Sequence, residues 1–164
     1  MAQPSILFDD LAERHRPEIL AYLTRLLGDA HDAEDACQET LLRAYRAFDR
    51  LAPHSNPRAW LYKIATNTAF NALKRRKRHA AHTVDRDLDT LSSDSAASIE
   101  QRERWRAVVT AVNALPPKQR AALMMRQFQG LRYEEIAASL GGSQASARAN
   151  VYQAIPKLRE MLVE

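Results

Sequence analysis

The sequence predicts an all-α fold of two small helical domains joined by a flexible linker, and three observations predict it. Only four glycines occur in 164 residues, few for a sheet-rich chain that needs turns and bulges. Long Ala/Leu/Arg/Glu stretches supply strong helix formers. Residues 81–98 form a segment rich in Asp and Ser (Asp85, Asp87, Asp89, Asp94, Ser92, Ser93, Ser95, Ser98) whose few apolar residues keep no helical period. It separates residues 1–80 from residues 99–164. A unit of either size buries only about 60% of its unfolded surface, so each is marginally stable alone. Fully extended, the linker reaches about 60 Å, enough to let the two parts hold separated sites on one long ligand.

In chain order, a first helix is expected over Ile6–Leu27, adjusted near Pro17 and stopped by Gly28. Asp32 is the expected N-cap of a second helix from Ala33 to Phe48, with Glu34 and Asp35 near its positive end. A loop over Leu51–Ser55 contains Pro53. Asn56-Pro57, a cap followed by a first-turn proline, opens a third helix to about His79. Its residues Leu61, Ile64, Ala65, Thr68 and Ala72 recur at helical spacing and should pack inward. In the second part, Trp105, Val108, Val109, Val112 and Leu115 mark one face of a helix over Ile99–Leu115. Pro116-Pro117 breaks it and starts another over Lys118–Gln129, stopped by Gly130. A short helix over Tyr133–Leu140, a Gly141-Gly142 turn and a last helix capped by Ser143 and running to Leu162 describe a helix-turn-helix. In that last helix Ala147, Val151, Ala154, Leu158 and Met161 should face inward, and Pro156 should kink it.

Composition narrows the function. No apolar run approaches the roughly 18–20 residues that span a bilayer. Asp9 and Asp10 precede any basic region or long apolar core, so no secretory signal is expected and the chain reads as cytoplasmic. The single cysteine, Cys37, excludes an internal disulfide and a Cys-based zinc site. His15, His31, His54, His79 and His82 have no metal-ligand spacing, and neither a phosphate-cradling Gly loop nor a nucleophile elbow is present. No catalytic residue, metal or cofactor is expected, and a nuclease is disfavoured.

The net charge of +4 is unevenly spread. Asp29, Asp32, Glu34, Asp35 and Glu39 lie in a stretch from Leu26 to Leu42 without Lys or Arg. From Leu51 to Val84 the sign reverses: Arg58, Lys63, Lys74, Arg75, Arg76, Lys77 and Arg78 occur without one acid. The reversal implies two partner surfaces, one of them for a polyanion. On the third helix Trp60, Lys63, Asn67, Asn71, Lys74 and Arg78 step by three or four along one stripe. An aromatic ring stacks on a base, amides read its edge and cations neutralise phosphates. On the last helix Gln144, Arg148, Ala149, Tyr152 and Gln153 should face outward.

The stretch DAEDACQETLLRAYRAF, followed by NPRAWLYKIATNTAFNALKRRKR, resembles the second conserved region of bacterial sigma factors of the extracytoplasmic-function group. LPPKQRAALMMRQFQGLRYEEIAASLGGSQASARANVYQAIPKLRE resembles their fourth region. The two motifs stand in order and together cover nearly all of the chain. The resemblance implies a two-domain sigma factor whose partners are core RNA polymerase, promoter DNA and an anti-sigma protein that would hold it at the membrane. It places Asp32, Asp35, Gln38 and Glu39 against the clamp helices of the polymerase's largest subunit. Arg58, Trp60, Lys63, Asn67, Asn71, Lys74, Arg75 and Arg78 fall at the −10 element, with the two amides near a pocket for a flipped base. Ser143, Gln144, Arg148, Ala149, Tyr152 and Gln153 fall at the −35 element. The chain departs from the family at Asn71, where Asp is common, at Asn150 and Gln153, where Arg is common, and at Pro156. The alternative function is a stand-alone helix-turn-helix regulator, against which the acidic Asp32–Glu39 block argues.

Overall fold

A computed structural model describes residues 4–52, 55–80 and 98–163. The linker reading and the Pro53 turn therefore lie largely outside the described residues. Among these residues every regular element is helical: α1 (Pro4–Leu27), α2 (Ala30–Ala47), a 3-10 turn (Phe48–Arg50), α3 (Pro57–Ala80), α4 (Ile99–Asn113), α5 (Pro117–Gln127), α6 (Tyr133–Leu140) and α7 (Gln144–Val163).

The breakers act as local chemistry requires. Gly28 takes φ 72° and ends α1, its N–H bonding the Thr24 carbonyl at 2.8 Å. The chain reverses so tightly there that Asp29, in extended conformation, already caps α2 by accepting the Asp32 N–H at 2.9 Å. The expected cap at Asp32 is thus corrected: Asp32 lies in the first turn of α2 and binds Arg76 of α3. Asn56 caps α3 through the Ala59 N–H, and Ser98 with Gln101 forms a reciprocal capping box on α4. Helix α4 stops two residues before Leu115, and α5 two before Gln129. Arg120 satisfies the carbonyls freed at the first end, donating to Asn113 (2.7 Å) and Leu115 (3.4 Å). Gly141, at φ 74°, and Ser143, which accepts the Ser146 N–H at 3.0 Å, make the turn between α6 and α7.

Two cores result. In the first, Ile19, Tyr22, Leu23 and Leu26 of α1 meet Leu61, Tyr62, Ala65 and Ala69 of α3, with Ala33, Ala36, Cys37 and Ala44 of α2 closing the third side. Alanines on α2 and α3 let the helix axes approach closely. The buried hydroxyls of Thr40, Thr66 and Thr68 donate to the carbonyls four residues earlier, so none is left unpaired. Thr66 thereby spends its only hydrogen on Tyr62, and Tyr22 donates to it at 2.8 Å. The second core gathers Leu115, Leu123, Met125, Leu131, Ile136, Val151 and Ala154. The two run together where α3 packs on α6 and α1 on α5.

Two inward expectations are corrected. Trp105 is 49% exposed and Met161 is exposed, because the first half of α4 and the end of α7 overhang their neighbours. With α1 and α5, α4 lines an apolar groove of 670 Å³ that Trp105 edges. Helix α7 continues through Pro156 as helix. No described helix is long and apolar enough to cross a membrane.

Candidate nucleic-acid interface

Helix α3 is held by an inner face buried at Leu61, Tyr62, Ala65, Thr66, Thr68 and Ala69, which fixes what its outer face offers. Lys63, Asn67, Asn71, Lys74, Arg75 and Arg78 are all exposed. Asn71, Lys74, Arg75 and Arg78 line a cleft of 250 Å³ together with Glu39 and Arg43 of α2. Glu39 is bonded to Arg43 at 2.6 Å, so the cleft keeps a positive surplus from the three cations of α3. Trp60, expected on this stripe, is half-buried and tilts against Phe48 at 6.5 Å between ring centroids. Its ring belongs to the edge of the core, since Phe48 in turn packs on Phe8.

Arg58 departs further from the stripe. Its Nε donates to Glu18 at 2.7 Å and one Nη to the Gln129 carbonyl at 2.9 Å. The other Nη lies 3.7 Å from Glu135, and the guanidinium covers the Tyr62 ring. Burial alone would lower its pKa, but the bond and charge of Glu18 raise it above the ordinary arginine value. Around it, Asn56 donates to Glu135 at 3.0 Å and Ser139 to the Ala59 carbonyl at 3.0 Å. Burial would raise the Glu135 carboxyl. Hydrogen bonds from the Arg132 N–H, Asn56 and the Arg132 side chain, with the charge of Arg58, hold it below the usual carboxylate range instead. Desolvation pushes the Tyr62 hydroxyl well above the usual tyrosine range.

On α2, Asp35 and Gln38 are exposed and Glu39 is half-buried. Sequence reasoning missed the continuation of this face: Leu42 and Tyr45, four and seven residues after Gln38, are 57% and 54% exposed. The available signal was an apolar pair at helical spacing from Gln38, on the acidic helix. Cys37, between Asp35 and Gln38 in the chain, is buried, and desolvation raises its thiol pKa.

Ser143, which caps α7, and Gln144, Arg148, Ala149, Tyr152 and Gln153 on it are all exposed. The Arg148 guanidinium lies over Tyr133 of α6, 5.1 Å from the ring centroid, a stacking that pre-sets a long side chain. Gln153 accepts from Gln119 at 3.1 Å, and Gln119 accepts from Lys157 at 3.0 Å. Among the described residues no group of His, Cys, Asp or Glu is arranged to hold a metal.

Residues 11–79 match the family described as Sigma-70 region 2, and residues 105–158 match Sigma-70 region 4. The RNA polymerase sigma factor CarQ of Myxococcus xanthus is 35% identical over 158 residues, covering 96% of this chain and 90% of that protein. This chain belongs to the ECF sigma factors. The ECF sigma factor SigE of Mycolicibacterium smegmatis is 32% identical over 99% of the chain, which spans only 63% of that longer relative. Among solved structures, the Bartonella quintana sigma factor RpoE, determined in complex with the anti-sigma factor NepR, is 25% identical. It superimposes with a TM-score of 0.75 over 94% of this chain and 96% of its own. Region 2 thus comprises α1–α3 and region 4 ends in the helix-turn-helix of α6 and α7.

Proposed function

We propose that this sigma factor joins core RNA polymerase, reads the −35 element through α7 and the −10 element through α3, and captures flipped non-template bases. The observation that carries this reading is the outer face of α3, where Asn67 and Asn71 stand among Lys63, Lys74, Arg75 and Arg78, opposite a buried face of Leu61, Tyr62, Ala65, Thr66 and Ala69. Duplex DNA hides the Watson–Crick edges, so those amides gain partners only once a base leaves the stack. Opening costs about 1.4 kcal/mol per base-pair step. Amide contacts to the edge of each freed base offset that cost, and the cations add sequence-independent affinity. Residues 1–80 act on the polymerase and the −10 element, residues 99–164 on the −35 element, with 81–98 as the connection. The polymerase performs the phosphoryl transfer, so this chain needs no cofactor. A protein of the anti-sigma class, as in the Bartonella complex, is the expected regulator, and the setting is cytoplasmic.

The test is permanganate footprinting beside filter binding. Asn67→Ala with Asn71→Ala should leave closed complexes near wild type and lower open complex about tenfold or more. A pre-melted −10 bubble should not fully rescue the variant. Normal permanganate reactivity removes base capture from this face. Polymerase attachment is tested separately with Asp35→Lys and Glu39→Lys, whose carboxylates lie one turn apart. Core affinity should fall about tenfold or more while helical content stays constant; unchanged affinity in a fluorescence titration excludes this surface. Run-off transcription with core polymerase distinguishes the sigma factor from a regulator that never joins it.

A further inference from the structure

The 670 Å³ groove between α1, α4 and α5 leaves apolar side chains uncovered. Leu20 and Ala21 of α1 line it half-buried, while Trp105 of α4 and Phe128, just after α5, are 49% and 56% exposed. Helix α4 rests chiefly on α7, so its face toward α1 lacks a packed neighbour. Among the described residues two cations, Arg16 and Arg25, line the groove and no acid does. Both are exposed, Arg16 beside Glu34 at 3.5 Å and Arg25 bonded to Gln129 and lying over the Phe128 ring. Such a surface fits an apolar segment flanked by acids.

The chain supplies that segment beside the groove. Arg76 donates to the Leu27 carbonyl at 2.6 Å, next to Gly28 at the groove's end, and α3 stops one turn later at Ala80. Helix α4, which forms another wall, begins at Ile99. Residues 81–97, outside the described ones, therefore leave from one end of the groove and return into its wall. Val84, Leu88 and Leu91 are four and three residues apart. Two such steps are too few to sustain a period, yet on a helix they put three side chains on one line. Asp85 and Asp87 would flank that line, and Arg86 would fall opposite. Four Asp and one Arg give residues 81–97 a formal charge of −3, opposite to that of the groove. Wound as helix, residues 84–91 span about 10 Å, against about 18 Å along α1 from Arg16 to Gly28. The residues on either side, 81–83 and 92–97, reach about 13 and 23 Å to Ala80 and Ser98 when extended.

We propose that this groove is the seat of the chain's own linker, with Val84, Leu88 and Leu91 against Trp105, Phe128 and α1, and Asp85 and Asp87 toward Arg16 and Arg25. Tethering at both ends makes the encounter intramolecular, with a high effective concentration. Ordering about eight residues opposes it, so the seat is readily vacated. A second apolar helix seeking the groove meets a site that is only partly free, and its apparent affinity falls by that fraction. The inference is independent of promoter reading by α3 and α7.

The test uses the full chain carrying Trp60→Phe, which leaves Trp105 as the only indole. It reads acrylamide quenching together with hydrogen exchange at residues 84–91. In that background Trp105 should be shielded and the amides of 84–91 slowed about tenfold relative to a free peptide of residues 81–97. Leu88→Asp with Leu91→Asp should shift Trp105 emission to the red, raise its quenching constant about twofold and abolish the slowing. Asp85→Asn with Asp87→Asn, which keeps the apolar line, should do so partially and leave the remaining shielding insensitive to salt. A cooperative thermal transition in each variant establishes that the two cores persist. Quenching and exchange unaltered by Leu88→Asp with Leu91→Asp overturn the proposal. Shielding of Trp105 that grows with protein concentration, without slowing at 84–91, assigns the groove to a second copy and equally overturns it.

Discussion

Helices α3 and α7 both turn a polar face outward, yet they are mounted and charged differently. The inner face of α3 includes Leu61, Tyr62, Ala65, Thr66 and Ala69, none more than 1% exposed, against three partner helices. The inner face of α7 buries Ala147, Val151 and Ala154, and its end is exposed. Outward, α3 carries a run of cations without an acid, whereas Arg148 is the one cation between residues 144 and 153. Under the function proposed above, strong mounting suits a face that would hold a strained strand. Sparse charge suits a face that would discriminate among intact base pairs, where non-specific affinity would only blur the choice.

The largest break in that contrast should come from removing charge on α3. Lys74→Ala with Arg75→Ala and Arg78→Ala should lower affinity for all DNA on the order of a hundredfold at moderate salt. The slope of log affinity against log salt should flatten by about three, close to one per cation. A slope equal to wild type would detach these residues from the phosphates.

On α7 the effect should be smaller and selective. Arg148→Ala should cost about 1–3 kcal/mol and relax preference at one −35 position. Uniform weakening across a set of single-base promoter variants would reassign Arg148 to the backbone and make α7 resemble α3.

The smallest effect should lie at the junction between the two regions. Glu135 faces Arg58 of α3, Asn56 that caps α3 and Arg132 just before its own helix, with Glu18 on the far side of Arg58 and Glu134 beside Arg132. Its carboxyl is held below the ordinary range. The stability it contributes is therefore complete above the unfolded value of about 4.3 and is lost as pH falls through the lower folded value. Thermal midpoints of wild type and Glu135→Gln should differ by a constant amount from pH 8 to 5 and converge in stronger acid. A gap that is independent of pH down to 2 would remove the carboxylate from the account.

Signals that act over one turn of chain were legible in the sequence. Gly28, Asn56-Pro57, Gly141 and Ser143 placed helix ends to within a few residues, because caps and left-handed turns depend on neighbours. Asp29 and Asp32 both satisfy cap chemistry, and only the abrupt reversal at Gly28 decides between them. Trp60 and Trp105 exchanged environments relative to expectation: period gives a face, while tertiary neighbours determine which face is covered. Arg58 is the clearest limit. Its partners Gln129 and Glu135 lie 71 and 77 residues away along the chain, and no local pattern encodes such a meeting. The exposed face of α3 was legible because charge and period agreed there.

Pro156 gives α7 a property beyond recognition. A proline has no N–H, so the Tyr152 carbonyl, four residues earlier, receives no amide from it, and an interior proline weakens a helix by about 3 kcal/mol. The helix nonetheless continues to Val163. It is thus a stiff rod up to the exposed Tyr152 and Gln153 and a compliant joint just beyond them. Torque applied to the exposed end of α7 dissipates at the joint, so a neighbouring protein can pull on its last turn without tilting the polar face from Gln144 to Gln153.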